Sequence, residues 1–398
     1  MMRRIRVLFP FVGGPVLGGS HISALSLAAA LDPNRFEARV LVHFEPGAIG
    51  QKARELGLDY EVLEDTPLMS SPGLPLPGRV GGLGYLTRTL PALRRTLKKI
   101  DPDIVHTNEG RMHANWIMPS KLSGCRHLWH HRQDPAAKGA NMLAPLLADH
   151  IVSVSHYAMP SRPIRPIGDR ASVIRSPFDF PAIRPDRTNS HDKLCDELGL
   201  PRDAVLLGYF GSIIKRKRPD GFVRVVDAVR RALPERQVHG LLFGDTVDAT
   251  RGLDETCKAL VSSLGLNDNF HFMGFRSPVF EAMSGVDVML VPAVNEPFGR
   301  TLIESMYLGT PVVATRHGGN IEAISDGLTG FLVEPDDPES FVEPICKLLS
   351  DPLLQTRIAD AAQADAAAKY GAERHVSEIS RLYEQLVEGT QVAGTAYA

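Results

Sequence analysis

Residues 296–304, which read EPFGRTLIE, contain the side chains of this chain best placed to do chemistry. The segment follows an apolar run at residues 286–292 that predicts a strand, and after Gly299 the apolar positions take helical spacing. Glu296 should therefore lie at the carboxyl end of a strand, where open α/β sheets bind ligands, with Glu304 about two turns into the next helix. A carboxylate can accept two hydroxyl groups. The alternative is a solvated helix face carrying two ordinary glutamates.

A run of cations follows another predicted strand, at residues 205–210. Gly211 and Ser212 end that strand, and Lys215, Arg216, Lys217 and Arg218 come directly afterwards. Lysine and arginine supply the charge that a diphosphate needs. A solvated basic turn is the usual interpretation of such a run, but its position in a strand-to-helix loop favours anion binding.

The first half of the chain offers weaker candidates. Residues 13–19 are rich in glycine and precede an apolar helix, so backbone N–H groups there could face an anion, although tight packing explains the glycines equally well. Residues 130–132 read HHR and stand at the end of a predicted strand, as does His106. The loop at residues 66–84 is rich in Pro and Gly, and its length is typical of functional or mobile loops.

Composition limits the possible classes of protein. The chain has 398 residues, which suits two domains, and its formal net charge of −2 gives no argument for nucleic acid. The four cysteines are widely spaced, so we expect buried thiols in a reducing cytoplasm rather than zinc ligands or disulfides. We expect neither a secretion signal nor a membrane span.

Strands and helices alternate along the whole sequence, which predicts parallel α/β sheets in both halves. In the first half, the predicted strands lie near residues 5–9, 38–42, 104–106, 128–130 and 151–154. In the second half, they lie near residues 205–210, 240–244, 270–272, 286–291, 311–315 and 330–333. The first domain should end near residue 178, and residues after 389 should form a frayed tail.

The order of motifs resembles one known family. The EPFG turn, the strand GTPVVAT at residues 309–315 and the loop GGNIE at residues 318–322 resemble the donor-sugar site of retaining glycosyltransferases of family 4. The resemblance implies the GT-B architecture, in which two Rossmann-like parallel-sheet domains face a deep cleft. It further implies an acceptor-binding domain at 1–178, a donor-binding domain at 179–369, and a final helix at about 370–388 that crosses back to the first domain.

The resemblance also implies roles for individual residues. Catalytic roles fall to Glu296, Lys217, His130 and Arg132. Donor-binding roles fall to Gly19, Gly211, Ser212, Arg216, Lys217, Phe275, Arg276, Glu296, Pro297, Phe298, Gly299, Arg300, Thr301 and Glu304. Acceptor-binding roles fall to His131 and His106. Where the family usually has an arginine, this chain has Ser212, so either its hydroxyl takes over or Arg216 or Arg218 turns inward.

The implied reaction is transfer of a sugar from a UDP- or GDP-linked donor to a hydroxyl acceptor, in glycan, glycolipid or polysaccharide synthesis. No metal and no cofactor is expected, because no Asp-x-Asp motif is placed to bind a divalent cation. Two alternatives remain open: a GT-B sugar-nucleotide isomerase and a non-catalytic sugar-nucleotide-binding subunit. Leucines at helical spacing in residues 86–97 stand beside arginines and lysines. Such a helix could make peripheral contact with the inner face of the membrane, or it could simply pack on the protein with its basic side in solvent, and both interpretations remain open.

Overall fold

The computed structural model describes residues 3–15, 17–70, 78–178, 180–246 and 252–389. They form two compact units: Met1–Pro177 with Ala372–Ala398, and Phe178–Gly371. The tail predicted after residue 389 and the middle of the loop predicted at residues 66–84 lie outside the described residues.

The first unit is built on a parallel sheet in the order β3-β2-β1-β4-β5-β6-β7. Its strands are β1 Ile5–Val12, β2 Phe36–His43, β3 Tyr60–Leu63, β4 Ile104–Thr107, β5 Arg126–His131, β6 His150–Ser153 and β7 Ala171–Val173. Its helices before residue 178 are α1 Gly19–Ala30, α2 Gly47–Glu55, α3 Gly82–Gly84, α4 Leu90–Ile100, α5 Gly110–Ser123, α6 Lys138–Met142 and α7 Ala144–Leu147, with a π-helical segment at Tyr85–Thr89 and a 3-10 turn at Gly168–Arg170.

The second unit is built on a parallel sheet in the order β10-β9-β8-β11-β12-β13. Its strands are β8 Val205–Phe210, β9 Val238–Phe243, β10 Phe270–Gly274, β11 Val288–Val291, β12 Val312–Thr315 and β13 Phe331–Val333. Its helices are α8 Arg187–Leu198, α9 Pro219–Ala232, α10 Leu253–Ser263, α11 Phe280–Gly285, α12 Arg300–Leu308, α13 Asn320–Ala323, α14 Val342–Ser350 and α15 Pro352–Tyr370, with 3-10 turns at Lys215–Lys217 and Pro338–Phe341. Helix α16, Ala372–Glu388, belongs to the first unit.

Burial explains why the central strands are apolar on both faces. Every residue of β8 and β11 is buried, as expected for parallel strands that helices cover on both sides. Edge strands β3 and β7 carry no fully buried residue. They lack a continuous apolar run, which is why the sequence analysis did not predict them.

Backbone packing accounts for Gly13 in the first strand-to-helix loop. A Cβ on Gly13 would lie 1.5 Å from the carbonyl oxygen of Glu45. A Cβ on Gly14 would meet nothing within 4 Å, but the φ of +138° at this position favours glycine. The packing interpretation is therefore correct for Gly13.

The leucine stripe at residues 86–97 divides into two parts. Leu93 and Leu97 are fully buried in a hydrophobic cluster with Trp116, whereas Leu86 is 53% exposed. The buried pair is unavailable to lipid, which favours the ordinary packing interpretation for this half of the stripe. Within the described ranges, no helix has the length and apolar character needed to cross a membrane.

Candidate functional site

In the second unit, the predicted donor residues converge at the carboxyl ends of two neighbouring strands. β8 pairs with β11 in parallel register, with Leu207 opposite Val288. The cation loop after β8 and the EPFG loop after β11 therefore lie side by side. One small pocket has Lys217, Glu296, Gly299 and Thr301 among its lining residues.

Glu296 is the buried centre of this site. Its side chain is 8% exposed, and its Oε2 lies 3.8 Å from the Nζ of Lys217 and accepts a hydrogen bond from Nη1 of Arg216. Both of the ion pairs that the structure describes for Glu296 involve Oε2. The other oxygen, Oε1, is therefore suited to accept a hydroxyl group from a ligand.

Gly211 makes room for Lys217. Its φ is +150°, and a Cβ there would lie 2.7 Å from the Nζ of Lys217. A residue with a side chain at this position would both strain the backbone and push the ammonium group away. The glycine after β8 is thus explained by the lysine that packs on it.

The structure distinguishes the two arginines that could replace the missing family arginine. Arg218 pairs with Asp336 at 2.8 Å, whereas Arg216 pairs with Glu296. Arg216 is also fixed through its backbone, because its carbonyl oxygen accepts a hydrogen bond from the N–H of Val294 at 2.8 Å. Ser212 is exposed, and its carbonyl oxygen accepts a hydrogen bond from the hydroxyl of Tyr209 at 3.1 Å.

The GG pair of the GGNIE loop packs against the backbone of the Glu296 loop. The N–H of Gly319 donates to the carbonyl oxygen of Glu296 at 2.8 Å. A Cβ on Gly318 would lie 2.7 Å from that same oxygen, and a Cβ on Gly319 would lie 2.6 Å from the carbonyl oxygen of Pro297. Only glycines allow this close approach, so the pair holds Glu296 in place.

Helix α12 presents the other predicted donor residues. Gly299 is its N-cap and Gly309, with φ of +77°, ends it. The guanidinium of Arg300 lies 4.5 Å from the ring centroid of Phe178 and 3.4 Å from Oε1 of Glu304. Phe298, at the start of this turn, is buried beside Phe178, with ring centroids 6.2 Å apart.

The predicted donor-binding residues Phe275 and Arg276 lie in the turn after β10. Phe275 is 74% exposed, while the guanidinium of Arg276 stacks 5.1 Å from the ring centroid of Phe243 and pairs with Glu197. The ring of Phe243 in turn stacks on Phe210, at the end of β8, with centroids 4.7 Å apart. The turn is thereby linked to the strand that carries the cation loop.

In the first unit, the predicted histidines form a buried hydrogen-bonded chain. Nδ1 of His106 is 2.5 Å from the hydroxyl of Tyr383, and its Nε2 is 3.1 Å from Nδ1 of His130. Arg132 approaches the same Nδ1 of His130 at 3.4 Å and donates to the Oγ of Ser176 at 2.6 Å. Desolvation, followed by the charge of Arg132, holds the pKa of both His106 and His130 well below the usual value.

The two predicted acceptor-binding histidines occupy different environments from those expected. Both ring nitrogens of His106 are engaged inside the first unit. His106 thus supports its neighbours through both ring nitrogens, and its acceptor-binding role stays a prediction. His131 is buried, and its Nε2 contacts the carbonyl oxygen of Asp134 at 3.1 Å, so it braces its own turn. Burial also lowers the pKa of His131.

Gly19 begins α1, where a second pair of side chains organises the loop. The N–H of Gly18 donates to Nδ1 of His21 at 3.1 Å, and Nε2 of His21 contacts Oε2 of Glu109 at 3.0 Å. Glu109 also accepts from the N–H of Val12 at 3.3 Å. The sequence analysis missed this pair, although Glu109 stands just after β4, at the sheet edge where ligand-binding loops are expected.

The described residues contain no group of three or more His, Cys, Asp or Glu side chains arranged to hold a metal ion. The positive charge close to Glu296 comes instead from Arg216 and Lys217.

Comparisons with known proteins find a match to one family model within the second unit. Residues 191–365 match the family model for glycosyl transferases group 1. D-inositol 3-phosphate glycosyltransferase of Corynebacterium jeikeium (strain K411) is 30% identical over 218 residues, which cover 54% of this chain and 51% of that protein. The chain thus spans about half the length of the curated relatives it matches.

Solved structures share the fold over almost the entire chain. Anabaena HepE in complex with UDP and glucose has a TM-score of 0.78 at 22% identity, covering 96% of this chain and 100% of that chain. A glycosyltransferase from Rickettsia africae ESF-5 has a TM-score of 0.77 at 17% identity, covering 98% and 100%. At these identities the likeness shows the fold, and the two parallel-sheet domains expected of the GT-B architecture are confirmed.

Proposed function

We propose, from the match of residues 191–365 to the family model for glycosyl transferases group 1, that this protein is a retaining glycosyltransferase using a nucleotide-diphosphate sugar. The observation that carries the proposal is the buried carboxylate of Glu296, in contact with Arg216 and next to Lys217. This arrangement brings a hydrogen-bond acceptor suited to sugar hydroxyls next to two cations suited to a diphosphate.

In this proposal, the donor sits across the loops after β8 and β11. Lys217 and Arg216 bind the diphosphate, since lysine and arginine are the usual phosphate-binding cations. Oε1 of Glu296 accepts a hydroxyl of the sugar, and Glu304 accepts hydroxyls of the ribose. The backbone N–H groups at the start of α12 face the same anion, where a helix N-terminus favours negative charge.

The transfer step breaks the bond between the anomeric carbon and the diphosphate oxygen, and the diphosphate leaves with the electron pair. The acceptor hydroxyl attacks the anomeric carbon from the face that the diphosphate leaves, so configuration is retained. Its proton passes to the departing phosphate oxygen. Lys217 and Arg216 stabilise the negative charge that develops there, which is the main catalytic contribution of the chain. Neither glutamate acts as a nucleophile.

These cations are proposed to supply the charge that a divalent metal supplies in other transferases, so no metal or cofactor is included. The UDP-sugars are the first donors to test, because Anabaena HepE, which shares the fold, has also been solved with UDP-glucose. No acceptor is carried over from the inositol phosphate enzymes, because the family model covers only residues of the second unit.

The proposal is tested with purified protein and a panel of UDP-glucose, UDP-galactose, UDP-N-acetylglucosamine and GDP-mannose. Thermal shift measures binding, and released nucleoside diphosphate measures turnover to water or acceptor. Glu296→Gln is compared with Glu281→Gln, which removes a carboxylate from an exposed ion pair with Lys193 in the same unit.

One donor should raise the melting temperature of wild type and of Glu281→Gln. Glu296→Gln should bind that donor more weakly and release nucleoside diphosphate about 100-fold more slowly. Release of an epimerised sugar in the absence of acceptor would instead indicate an isomerase. Binding without any turnover would indicate a sugar-nucleotide-binding subunit, and the absence of binding across the panel would refute the proposal.

A further inference from the structure

We infer that Tyr383 and His106 are positioning residues that fix the single ring proton of His130 on Nε2, so that the first unit presents a buried N–H donor to an oxygen of a ligand. This inference rests on the proposed function for the identity of the ligand. The tautomers of the two histidines follow from contacts within the first unit.

Arg132 determines which ring nitrogen of His130 carries the lone pair. Its Nη2 lies 3.4 Å from Nδ1 of His130. A guanidinium group is protonated at all relevant pH values and can only donate hydrogen bonds. Nδ1 of His130 must therefore be the lone-pair nitrogen of the ring.

The contact between His106 and the same nitrogen of His130 can then have only one donor. Nε2 of His106 lies 3.1 Å from Nδ1 of His130. Since Nδ1 of His130 accepts, Nε2 of His106 must carry a proton and donate it. Burial keeps the pKa of His106 well below its usual value, so this ring is neutral and holds no second proton.

The remaining nitrogen of His106 must accept, and Tyr383 is its donor. The hydroxyl of Tyr383 lies 2.5 Å from Nδ1 of His106, and it is fully buried on helix α16. Burial raises the pKa of Tyr383, so the hydroxyl keeps its proton. The tyrosine thus fixes the tautomer of His106 from the side opposite His130.

At the other end of this series of hydrogen bonds, Nε2 of His130 has a proton but no acceptor within the described ranges. A neutral His130 with a lone pair on Nδ1 carries its proton on Nε2. Nε2 of His130 is buried and has no hydrogen-bond partner among the residues that the structure describes. A buried donor without a hydrogen-bond partner is energetically costly. A ligand oxygen at this position would satisfy it.

Tautomers are measured directly by long-range ¹H–¹⁵N NMR of the protein labelled at histidine, with His106→Gln and His130→Gln used for assignment. We expect the Nε2–H form for both rings in the unliganded protein. Tyr383→Phe removes the donor, so His106 should populate the Nδ1–H form and His130 should lose its single tautomer.

Tyr85→Phe is the matched control. It removes a buried tyrosine hydroxyl that donates to the carbonyl oxygen of Asn115 at 3.1 Å in the same unit, so it carries a comparable loss of stability. Its histidine tautomers should equal those of wild type. With an active donor, kcat/KM should fall about 10-fold in Tyr383→Phe and remain within about 2-fold of wild type in Tyr85→Phe.

Titration with UDP and with UDP-glucose identifies the oxygen. A shift of the His130 Nε2 signal with both ligands indicates an oxygen of the UDP part, and a shift with UDP-glucose alone indicates an oxygen of the glucose. An Nδ1–H form of His130 in wild type overturns the inference even if Tyr383→Phe does not fold. Equal tautomers in the two tyrosine variants also overturn it. If the enzyme turns over the donor but neither ligand shifts the His130 Nε2 signal, the inferred hydrogen bond from His130 to the ligand is wrong, while the proposed function stands.

Discussion

Gly318 offers a sharp test of how the Glu296 loop is held. Its φ is +62°, and an added Cβ would lie 2.7 Å from the carbonyl oxygen and 3.1 Å from the amide nitrogen of Glu296. Both neighbours are backbone atoms, so no side chain can rotate away. Gly318→Ala therefore forces the loop that carries Glu296 to move by several tenths of an ångström.

Gly327 in the same unit provides the matched control. Its φ is +71°, and a Cβ there would meet nothing within 4 Å. Alanine in the left-handed region costs about 1–2 kcal/mol at either position, partly offset by about 0.4–1 kcal/mol from a stiffer unfolded chain. The overlap at Gly318 adds about 1–3 kcal/mol, as overpacking usually does.

Gly318→Ala and Gly327→Ala should therefore differ much more in kcat/KM than in the cost of their left-handed backbone conformation. Displacing a binding group by about 1 Å can lower activity about 100-fold, so we expect kcat/KM of Gly318→Ala to fall about 10- to 100-fold. Gly327→Ala should remain within about 2-fold of wild type. The assays are nucleoside diphosphate release with the active donor, thermal shift by that donor, and the urea midpoint of the free protein.

The comparison gives a clear refutation. If Gly318→Ala and Gly327→Ala show the same donor affinity, turnover and stability, the Gly318 contact does not position Glu296. If Gly318→Ala loses stability alone, the contact supports the fold without contributing to the site.

Three other outcomes are expected. Lys217→Gln should lower turnover about 100-fold, whereas Lys215→Gln, in the same turn but without an ion pair among those described, should leave turnover nearly unchanged; equal losses would argue against a specific role for Lys217. Chelation with EDTA should leave turnover intact, and restoration of a lost activity by Mg²⁺ would contradict this. Burial lowers the pKa of His43, His127 and His375 to about 3, so the folded state stays unprotonated at these rings where the unfolded state binds protons. The free energy of unfolding should thus be highest above pH 6.5 and fall by roughly 1 kcal/mol per histidine at about pH 5.5, and a urea midpoint that stays constant over this range would contradict it.

The sequence predicted the second unit well because its signals are local. Alternating strands and helices place every strand-to-helix loop at the same edge of a parallel sheet. The loops containing Lys217 and Glu296 could therefore be assigned to one edge, and the structure shows that these two side chains meet there. The edge strands were missed because Tyr60–Leu63 and Ala171–Val173 lack the fully buried apolar run that identifies a central strand.

The tertiary structure decided which of several similar side chains meet. Arg216 and Arg218 are equivalent in sequence, and only the fold sends one to Glu296 and the other to Asp336. Tyr383 lies 277 positions from His106, and only the fold brings its hydroxyl against the ring of His106. Periodicity specifies which face of an element is buried, but not which polar group on a distant element lies within hydrogen-bond distance. Hydrogen bonds and ion pairs depend on positions fixed to a few tenths of an ångström, and packing of the complete chain sets those positions.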